Sequence, residues 1–494
     1  MKILFTHSYF LELDAKQLQT HKPYPPLAPL YAAALLREQK HHVALADIQF
    51  AKSPEEIESS LNTFQPDVLA IYDDGFNYLT KMCLTNMREA TFRMLELAKQ
   101  KGITTVVSSS DASDHFEKYF AKGADYIIIG EGEQTLSELI AFLENKPGSS
   151  KSGIEGLAFR EDGNTVKTKS RQVMRELDEL PPPAWDLVNL EPYRNTWMKH
   201  QGYFSLNFVT TRGCPYKCNW CAKPIYGNRY NSHSPEKVAE LIQSLHQKTN
   251  FDHIWFADDI FGLKPGWLRD FNSAMKKQGL KIPYKIQSRA DLLLEDEAIA
   301  HLAESGCEEV WMGAESGSQR ILDAMDKGTT VEQIKEATSL LKKHGIKACF
   351  FLQFGYSGET MEDIKKTIAL VEELSPDDIG ISVSYPLPGT KFYERVKNEL
   401  VNKQNWTDSD DLDMMFNSTY SSDFYRLLQR YVHYSFRTNK AIEELKKRQF
   451  KRSSLLGPYY RLKKLQLKHK LLKFEPRSQV FLLQNAKSLL LKTD

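Results

Sequence analysis

Short apolar runs alternate with amphipathic stretches over residues 1–146. The apolar runs read KILFTHS, HVALAD, VLAIYD, TTVVSS and YIIIGEGE along the chain. Strands that are apolar on both faces and alternate with helices are typical of a parallel sheet that is covered on both sides. The pattern predicts a doubly wound, Rossmann-like sheet of the α/β class, whose ligands would bind at the carboxyl ends of its strands.

Residues 147–195 lack this alternation of apolar and amphipathic stretches, and we expect them to form a linker. A Gly/Ser-rich stretch opens the segment, and LDELPPPAWDL follows at Leu177–Leu187. Consecutive prolines can continue neither a helix nor a central strand, which favours an irregular connection here.

The alternation restarts over residues 196–400. The strand candidates are NFVTTR, HIWFAD, YKIQSR, EVWMGAE, KACFFLQF and GISVSYPLP, with helical segments between them. Six such βα units predict a parallel sheet that curls into a partial (β/α)6 barrel of the TIM type. For residues 401–494 the pattern predicts a helical C-terminal region that ends in a basic tail.

Charge and composition narrow the function. The chain of 494 residues carries 65 basic and 64 acidic residues, so we expect no nucleic-acid partner. No stretch reaches the ~18–20 continuous apolar residues of a membrane-spanning helix, and the N-terminus shows no export signal. We therefore expect a cytoplasmic protein, in whose reducing surroundings closely spaced cysteines indicate metal ligands.

Three cysteines share one short loop directly after the first barrel strand. Cys214, Cys218 and Cys221 have the spacing C-x3-C-x2-C. Thiolates suit iron–sulfur clusters, and three of them leave one iron open for a small molecule. A structural zinc site that adds His233 is the competing interpretation, although its spacing differs from the usual paired knuckles.

This loop, with Trp220 just before its third cysteine, resembles the signature of the radical S-adenosylmethionine (SAM) superfamily. The resemblance continues downstream in the motifs Phe256-Ala-Asp-Asp-Ile-Phe, Ser288-Arg289, Gly313-Ala-Glu-Ser-Gly317 and Tyr385-Pro-Leu-Pro-Gly-Thr390. The set covers roughly residues 1–400. It is similar to the class that carries an N-terminal cobalamin-binding domain, which includes cobalamin-dependent methyltransferases and the anaerobic magnesium-protoporphyrin cyclase type.

The resemblance implies a role for each motif. The three cysteines would hold a [4Fe-4S] cluster whose open iron chelates SAM. The implied SAM contacts are Trp220, Asp258, Asp259, Arg289, Glu315 and Tyr385. The paired aspartates would accept from the SAM ammonium group and Glu315 from ribose hydroxyls, as carboxylates can, while residues 385–388 would line the adenine pocket. A turn, a helix cap or a surface ion pair is the structural alternative for Asp258, Asp259, Arg289 and Glu315.

The same resemblance places cobalamin at the carboxyl edge of the N-terminal sheet. The implied contacts are Ser8, Ser108, Ser109, Gly130, Glu131 and Gly132. Two features depart from the cobalamin pattern. The D-x-H-x-x-G motif is absent, so no histidine ligand to cobalt is expected, and serines stand at 108–110 in place of glycines. A docking or substrate module is the alternative. Asp73 and Asp74 could contact a ligand or form a turn and helix cap.

Together these features predict a cobalamin-dependent radical SAM methyltransferase. A 5′-deoxyadenosyl radical would remove hydrogen from an unactivated carbon, and methylcobalamin would deliver the methyl group. A non-methylating cyclase or oxidoreductase is the alternative among enzymes, and a non-catalytic cofactor-binding module is the alternative of another class.

The partners follow from this function and from the charge pattern. We expect a small-molecule or lipid-like substrate and an external electron donor such as flavodoxin or ferredoxin. Apolar and basic residues alternate over Arg461–Lys473, which is compatible with a membrane-peripheral location on an anionic surface or with a solvated helix.

Overall fold

The computed structural model of the chain describes residues 1–77, 84–148, 150–221, 225–446, 455–471 and 473–474. Its strands are β1 (Lys2–Thr6), β2 (His42–Leu45), β3 (Val68–Tyr72), β4 (Thr104–Ser108), β5 (Tyr126–Ile128), β6 (Leu157–Glu161), β7 (Asn164–Lys167), β8 (Ser205–Phe208), β9 (Thr211–Arg212), β10 (Asn231–Ser232), β11 (His253–Phe256), β12 (Tyr284–Ser288), β13 (Cys307–Glu315), β14 (Lys347–Phe354) and β15 (Asp378–Val383).

The α-helices alternate with these strands and then form the C-terminal region. They are α1 (Ala15–Thr20), α2 (Leu27–Glu38), α3 (Ile57–Phe64), α4 (Thr85–Gln100), α5 (Ser110–Ala121), α6 (Glu133–Leu143), α7 (Glu191–Gln201), α8 (Pro235–Thr249), α9 (Trp267–Lys277), α10 (Ala290–Leu293), α11 (Ala298–Ser305), α12 (Gln319–Ala324), α13 (Val331–Lys343), α14 (Met361–Leu374), α15 (Lys391–Val396), α16 (Ser422–Lys446) and α17 (Gly457–Leu471).

The first sheet has the strand order β2-β1-β3-β4-β5-β6-β7. Strands β1 to β5 pair in parallel, and the hairpin β6–β7 joins the β5 edge in the antiparallel sense. All five residues of β3 are buried, as expected for a central strand with helices on both faces. The Rossmann-like sheet is therefore confirmed. The hairpin falls within the range predicted as a linker and extends the sheet by two strands.

The second sheet runs in chain order, β8-β11-β12-β13-β14-β15. The pairs β8–β11, β11–β12, β13–β14 and β14–β15 are parallel. Each strand candidate from the sequence contributes one of these strands, which confirms the partial barrel. The first candidate is split, because its end forms β9, which pairs with β10 as a separate antiparallel ladder.

The chain divides into two compact units. The first comprises residues 1–215, 223–286 and 405–411, and the second comprises residues 216–222, 287–404 and 412–494. This division follows packing, and the domain limits expected from the sequence remain predictions.

Residues 401–421 of the C-terminal region are irregular, which differs from the helical prediction, and helices α16 and α17 follow them. Helix α16 packs along α17 and also contacts α14. No helix among the described residues is both long and apolar enough to span a bilayer. Cys83 and the basic residues within 447–454 and 475–494 lie outside the described residues.

The turn after β13 is packed tightly against helix α14. The Gly317 backbone N–H donates to Thr367 Oγ1 at 2.9 Å. A Cβ built on Gly317 would lie 2.4 Å from the Lys366 carbonyl oxygen and 2.7 Å from Thr367 Cα. These atoms belong to the helix backbone, which cannot swing aside as a side chain can.

Gly317→Ala is expected to lower the free energy of unfolding by about 1–3 kcal/mol, because the added methyl group overpacks a rigid contact. Denaturant unfolding followed by circular dichroism measures the change. Gly153→Ala is the matched control, since its Cβ would meet no atom within 4 Å. Equal stability of the two variants would contradict the packing argument.

Candidate active site

The cysteine loop is closed at its base by a short antiparallel ladder. Thr211–Arg212 pairs with Asn231–Ser232, so the two ends of the loop 213–230 are held side by side. Gly213 begins the loop with φ +82°, and a Cβ there would lie 2.1 Å from the Arg229 carbonyl oxygen. Only glycine fits both the left-handed backbone and the close approach. The ladder and Gly213 therefore fix where the loop begins.

The three predicted ligands lie on this loop and are half-buried. In the second unit, Arg289 Nη1 lies 3.8 Å from Cys218 Sγ, and the guanidinium sits 3.7 Å from the centre of the Tyr216 ring. Asp291 holds Arg289 through two charge-assisted bonds of 2.9 Å. A cation in this position compensates the negative charge that a metal-bound thiolate carries.

Asn219, which lies between two ligand cysteines, anchors the loop within the second unit. Its side-chain amide donates to the Ala324 carbonyl at 2.7 Å, and its backbone N–H donates to the Met325 carbonyl at 3.0 Å. The Tyr356 hydroxyl donates to Asn219 Oδ1 at 2.9 Å. Sequence reasoning missed this residue, because its partners are more than a hundred positions away.

Trp220 supplies an unused donor in the same loop. Its ring is half-buried, and its Nε1–H is enclosed without a hydrogen-bond partner among the described residues. A buried donor of this kind has a free-energy cost unless a ligand or water accepts from it. Within the second unit, the thiols of Cys218 and Cys221, the compensating cation of Arg289 and the unused indole N–H of Trp220 have the chemistry that an iron–sulfur site with a polar ligand needs.

Glu315 ends β13 in a left-handed conformation with φ +57°. Its Oε1 accepts from Lys327 Nζ at 2.8 Å, and both side chains are buried. Burial opposes the charge of Lys327, but the Glu315 carboxylate and the nearby Cys218 together outweigh it and raise the pKa of the lysine. Gly313 makes room for the pair, since its Cβ would lie 2.6 Å from Lys327 Nζ. Lys327 gave no signal in the sequence.

In the first unit, Asp258 and Asp259 differ in their surroundings. The buried Asp258 carboxylate accepts from the backbone N–H and the hydroxyl of both Thr210 and Thr211, at 2.7–2.9 Å. Burial raises the pKa of Asp258 to about 6, although these four donors oppose the shift. Asp259 is exposed. Asp258 therefore ties the end of β11 to the chain that leads into the cysteine loop, and Asp259 is the more accessible carboxylate.

Arg212 is fully buried at the base of the same loop. Its guanidinium donates to Glu131 Oε1 and, at 2.6 Å, to Glu133 Oε1. Aromatic rings of Tyr31, Phe76 and Tyr226 lie 5.4–5.9 Å from the guanidinium carbon.

This buried cluster contains two carboxylates, Glu131 and Glu133, and one cation, Arg212. Burial raises the pKa of Glu131, and Arg212 opposes that rise. Glu131 Oε2 also accepts from the Met174 backbone N–H at 2.5 Å. The described contacts of Glu131 are thus with protein groups.

The other residues predicted to contact cobalamin also have structural partners. Ser8 donates to Asp73 through its backbone N–H and its hydroxyl, at 2.8 and 3.0 Å. Ser109 caps α5 by accepting from the Ala112 backbone N–H. A Cβ on Gly132 would lie 2.4 Å from the Tyr72 hydroxyl oxygen.

Three further groups complete this edge of the sheet. Ser108 accepts the Asp73 backbone N–H through its carbonyl, and Gly130 has φ +83°. The Asp74 carboxylate caps α2 by accepting from the backbone N–H groups of Leu27 and Ala28. The polar groups at this edge contact other protein groups. Their described side chains therefore do not by themselves outline a binding site for a corrin ring.

The zinc alternative finds no support in the described part of the chain. His233 Nδ1 lies 2.9 Å from Asp178 Oδ1, so its described partner is a carboxylate. Among the described residues, no three His, Cys, Asp or Glu side chains, the loop cysteines included, are grouped as ligands of a single metal ion. A [4Fe-4S] cluster takes each thiolate on a different iron and does not need that grouping.

A buried carboxyl group, Glu359, follows β14 and was also missed by sequence reasoning. Its Oε2 accepts from the Gly355 backbone N–H at 2.7 Å, and burial raises its pKa to about 8. The group is therefore mostly protonated at neutral pH. It stabilises the turn under Met414 and Tyr425, which lie 3.0–3.1 Å from a Cβ built on Gly355.

Comparisons with known proteins match two parts of the chain to domain families. Residues 208–371 match the model of the Radical SAM superfamily, and residues 19–140 match the model of the B12 binding domain. The chain is 28% identical over 431 residues to an uncharacterized methyltransferase of Pyrococcus horikoshii, covering 85% of this chain and 90% of that protein. It is 26% identical to the anaerobic magnesium-protoporphyrin IX monomethyl ester cyclase of Synechocystis, covering 75% and 72%.

A solved structure extends the comparison to the fold. The cobalamin-dependent SAM radical enzyme OxsB, with aqua-cobalamin and SAM bound, superposes with a TM-score of 0.71 at 19% identity, covering 99% of this chain and 75% of that one. The two family matches confirm the resemblance drawn from the cysteine loop and its downstream motifs.

Arg212→Met is expected to lower the free energy of unfolding by about 3–5 kcal/mol, because it leaves two buried carboxylates without their cation. Chemical denaturation measures the loss. Adding Glu131→Gln and Glu133→Gln should restore part of it. Arg269→Met is the control, since its ion pair with Asp270 is exposed. A loss as small as that of the control would argue against the buried cluster.

Glu359→Gln is expected to remove a pH dependence of stability. The unfolded carboxyl group loses its proton near pH 4.3, whereas the folded group holds it up to about pH 8. Wild-type stability therefore falls as pH rises between these values, by at most about 1.4 kcal/mol per unit. Unfolding at pH 5 and pH 8 should show the advantage of Glu359→Gln growing with pH. The exposed Glu336→Gln is the control, and a constant difference would contradict the assignment.

Proposed function

We propose that this chain, which carries a radical SAM domain and a B12-binding domain, is a cobalamin-dependent radical SAM methyltransferase that acts on an unactivated carbon. The observation that carries the proposal is the three-cysteine loop. Its base is fixed by Gly213 and the β9–β10 ladder, and its middle is anchored by Asn219. Three thiols supply one ligand fewer than a four-iron cluster needs, and a ligand position left to a small molecule is typical of a catalytic metal site.

Cys214, Cys218 and Cys221 would hold the [4Fe-4S] cluster, which when bound supplies the electron that cleaves SAM to methionine and a 5′-deoxyadenosyl radical. The chain's own groups prepare this site. Arg289 balances thiolate charge beside Cys218. Trp220 offers its buried indole N–H to a bound ligand.

Two carboxylates are suited to orient SAM. Asp259 is exposed and can accept from the ammonium group, while Asp258 holds the neighbouring backbone in place. Glu315 is fixed through Oε1 by Lys327, which leaves Oε2 to accept from ribose hydroxyls. The half-buried Tyr385 begins the segment that we assign to adenine.

Cobalamin binding rests on the B12-binding domain and on the bound cofactor of the related OxsB structure. We place the corrin at the carboxyl edge of the first sheet, near Ser8, Ser108, Ser109 and the turn 130–132. Because the polar side chains there are engaged with protein partners, backbone groups and shape would provide most of the contact. The absence of the D-x-H-x-x-G motif from the sequence predicts no histidine ligand to the cobalt.

A non-methylating radical cyclase or oxidoreductase is the second candidate. It is favoured by the similarity to the Synechocystis cyclase, which extends over 375 residues. Either reaction needs an external reductant such as flavodoxin or ferredoxin and a small-molecule or lipid-like substrate. We also propose a peripheral membrane location, which depends on the surface of the C-terminal helices.

Replacing Cys218 with Ala is expected to abolish cluster binding. The wild-type protein, purified and reconstituted without oxygen, should hold about four irons per chain and form 5′-deoxyadenosine from SAM with a strong reductant. Cys218→Ala should lose most of both. Cys307→Ala is the matched control, because that cysteine is buried in β13 away from the loop.

The same preparation separates the two candidate reactions. Retained cobalt together with S-adenosylhomocysteine would support the methyltransferase, because SAM becomes S-adenosylhomocysteine when it gives up its methyl group. Formation of 5′-deoxyadenosine alone would favour the cyclase or oxidoreductase. Zinc in place of iron in the wild type would contradict the proposal as a whole.

A further inference from the structure

Large apolar side chains are exposed mainly at one place in the described chain. Met198 and Val401 are isolated exposed residues elsewhere. The others fall between residues 442 and 465: Ile442, Leu445, Leu455, Leu456, Tyr459, Leu462 and Leu465. Soluble surfaces scatter such residues singly, so a concentration of them indicates a contact surface.

Helix α17 has two apolar sides. Its inner side packs on the protein: the Tyr460 ring centre lies 6.2 Å from that of Tyr434, Leu471 is buried, and Lys464 pairs with Glu372 at 2.9 Å. Its outer stripe consists of Leu462 and Leu465, which are 55% and 57% exposed. Tyr459 is 48% exposed and borders this stripe, because its ring centre also lies 6.2 Å from that of Tyr434. Packing of the inner side already attaches the helix, so folding does not require an apolar outer stripe.

Positive charge flanks the outer stripe on both sides. At 3.6 residues per turn, Arg461 and Lys468 fall on one side of it and Lys463 and Lys470 on the other. Residues 455–474 contain no Asp or Glu. Among the described residues, none of these four cations forms a salt bridge, in contrast to Lys464. An apolar stripe bordered by cations is the pattern of a helix that lies in a membrane interface.

We propose that the outer stripe of α17 binds the surface of an anionic lipid bilayer, with Leu462 and Leu465 inserted at the level of the headgroups. Charge complementarity selects this occupant. A second copy of the same surface would bring together two sets of cations from a segment that contains no Asp or Glu, which like-charge repulsion disfavours. The inference rests on the peripheral membrane location proposed above, names the surface responsible for it, and is independent of the proposed chemistry.

Co-sedimentation of the full-length protein with vesicles tests the proposal. We expect binding to phosphatidylcholine vesicles that contain phosphatidylglycerol, weaker binding to phosphatidylcholine alone, and a loss of binding as salt rises. Leu462→Ser with Leu465→Ser should weaken binding at least about tenfold, because it removes the inserted apolar area. Lys463→Gln, Lys468→Gln and Lys470→Gln together should weaken it roughly a hundredfold.

Matched controls carry the same kinds of change elsewhere. Met198→Ser alters another exposed apolar side chain, and Lys276→Gln with Lys277→Gln alters exposed lysines on α9. Both should bind like the wild type, and circular dichroism should show all variants folded.

Three results would overturn the proposal. Binding that does not depend on phosphatidylglycerol or on these residues would remove the surface from consideration. A wild-type dimer that Leu462→Ser with Leu465→Ser converts to monomers, without vesicle binding, would assign the stripe to a second copy. Vesicle binding that appears only after removal of residues 475–494 would indicate that the outer stripe is occupied by the chain's own C-terminal segment.

Discussion

A buried guanidinium couples the N-terminal sheet to the approach of the cysteine loop. Arg212 stands two residues before the first ligand cysteine. Its partner Glu131 lies in the turn that follows β5, and its partner Glu133 begins α6. An ion that is removed from water must be compensated by its neighbours, so these three groups constrain one another's positions strongly. Movement of the β5–α6 turn would therefore displace Arg212 at the base of the cysteine loop.

The need to pair buried polar groups also explains the contacts at the carboxyl edge of the first sheet. Asp73, Asp74 and Ser109 each satisfy backbone groups that would otherwise be buried without partners. The loops at this edge are held to one another before any ligand arrives. A cofactor that binds here would meet a preorganised surface, which reduces the entropy lost on binding.

Periodicity and local spacing account for what could be predicted from the sequence. The strands follow from apolar runs, and the cysteine motif lies within eight residues, so both can be recognised without tertiary information. Asn219, Lys327 and Glu359 could not be recognised, since their partners or their burial depend on how distant segments pack. For Glu131, the motif indicated a cofactor contact while the structure supplies Arg212 as a partner, so that role stays a prediction.

The hairpin at the end of the first sheet has a consequence for the behaviour of the protein in solution. A parallel sheet that stopped at β5 would present an open row of backbone donors and acceptors, to which a strand of another molecule could add. Here β6 covers that row, and the outermost strand, β7, is four residues long and ends in Lys167, whose ammonium group lies 4.7 Å from the Phe116 ring centre. A short, charged border of this kind discourages edge-to-edge aggregation, so the hairpin protects this edge of the sheet.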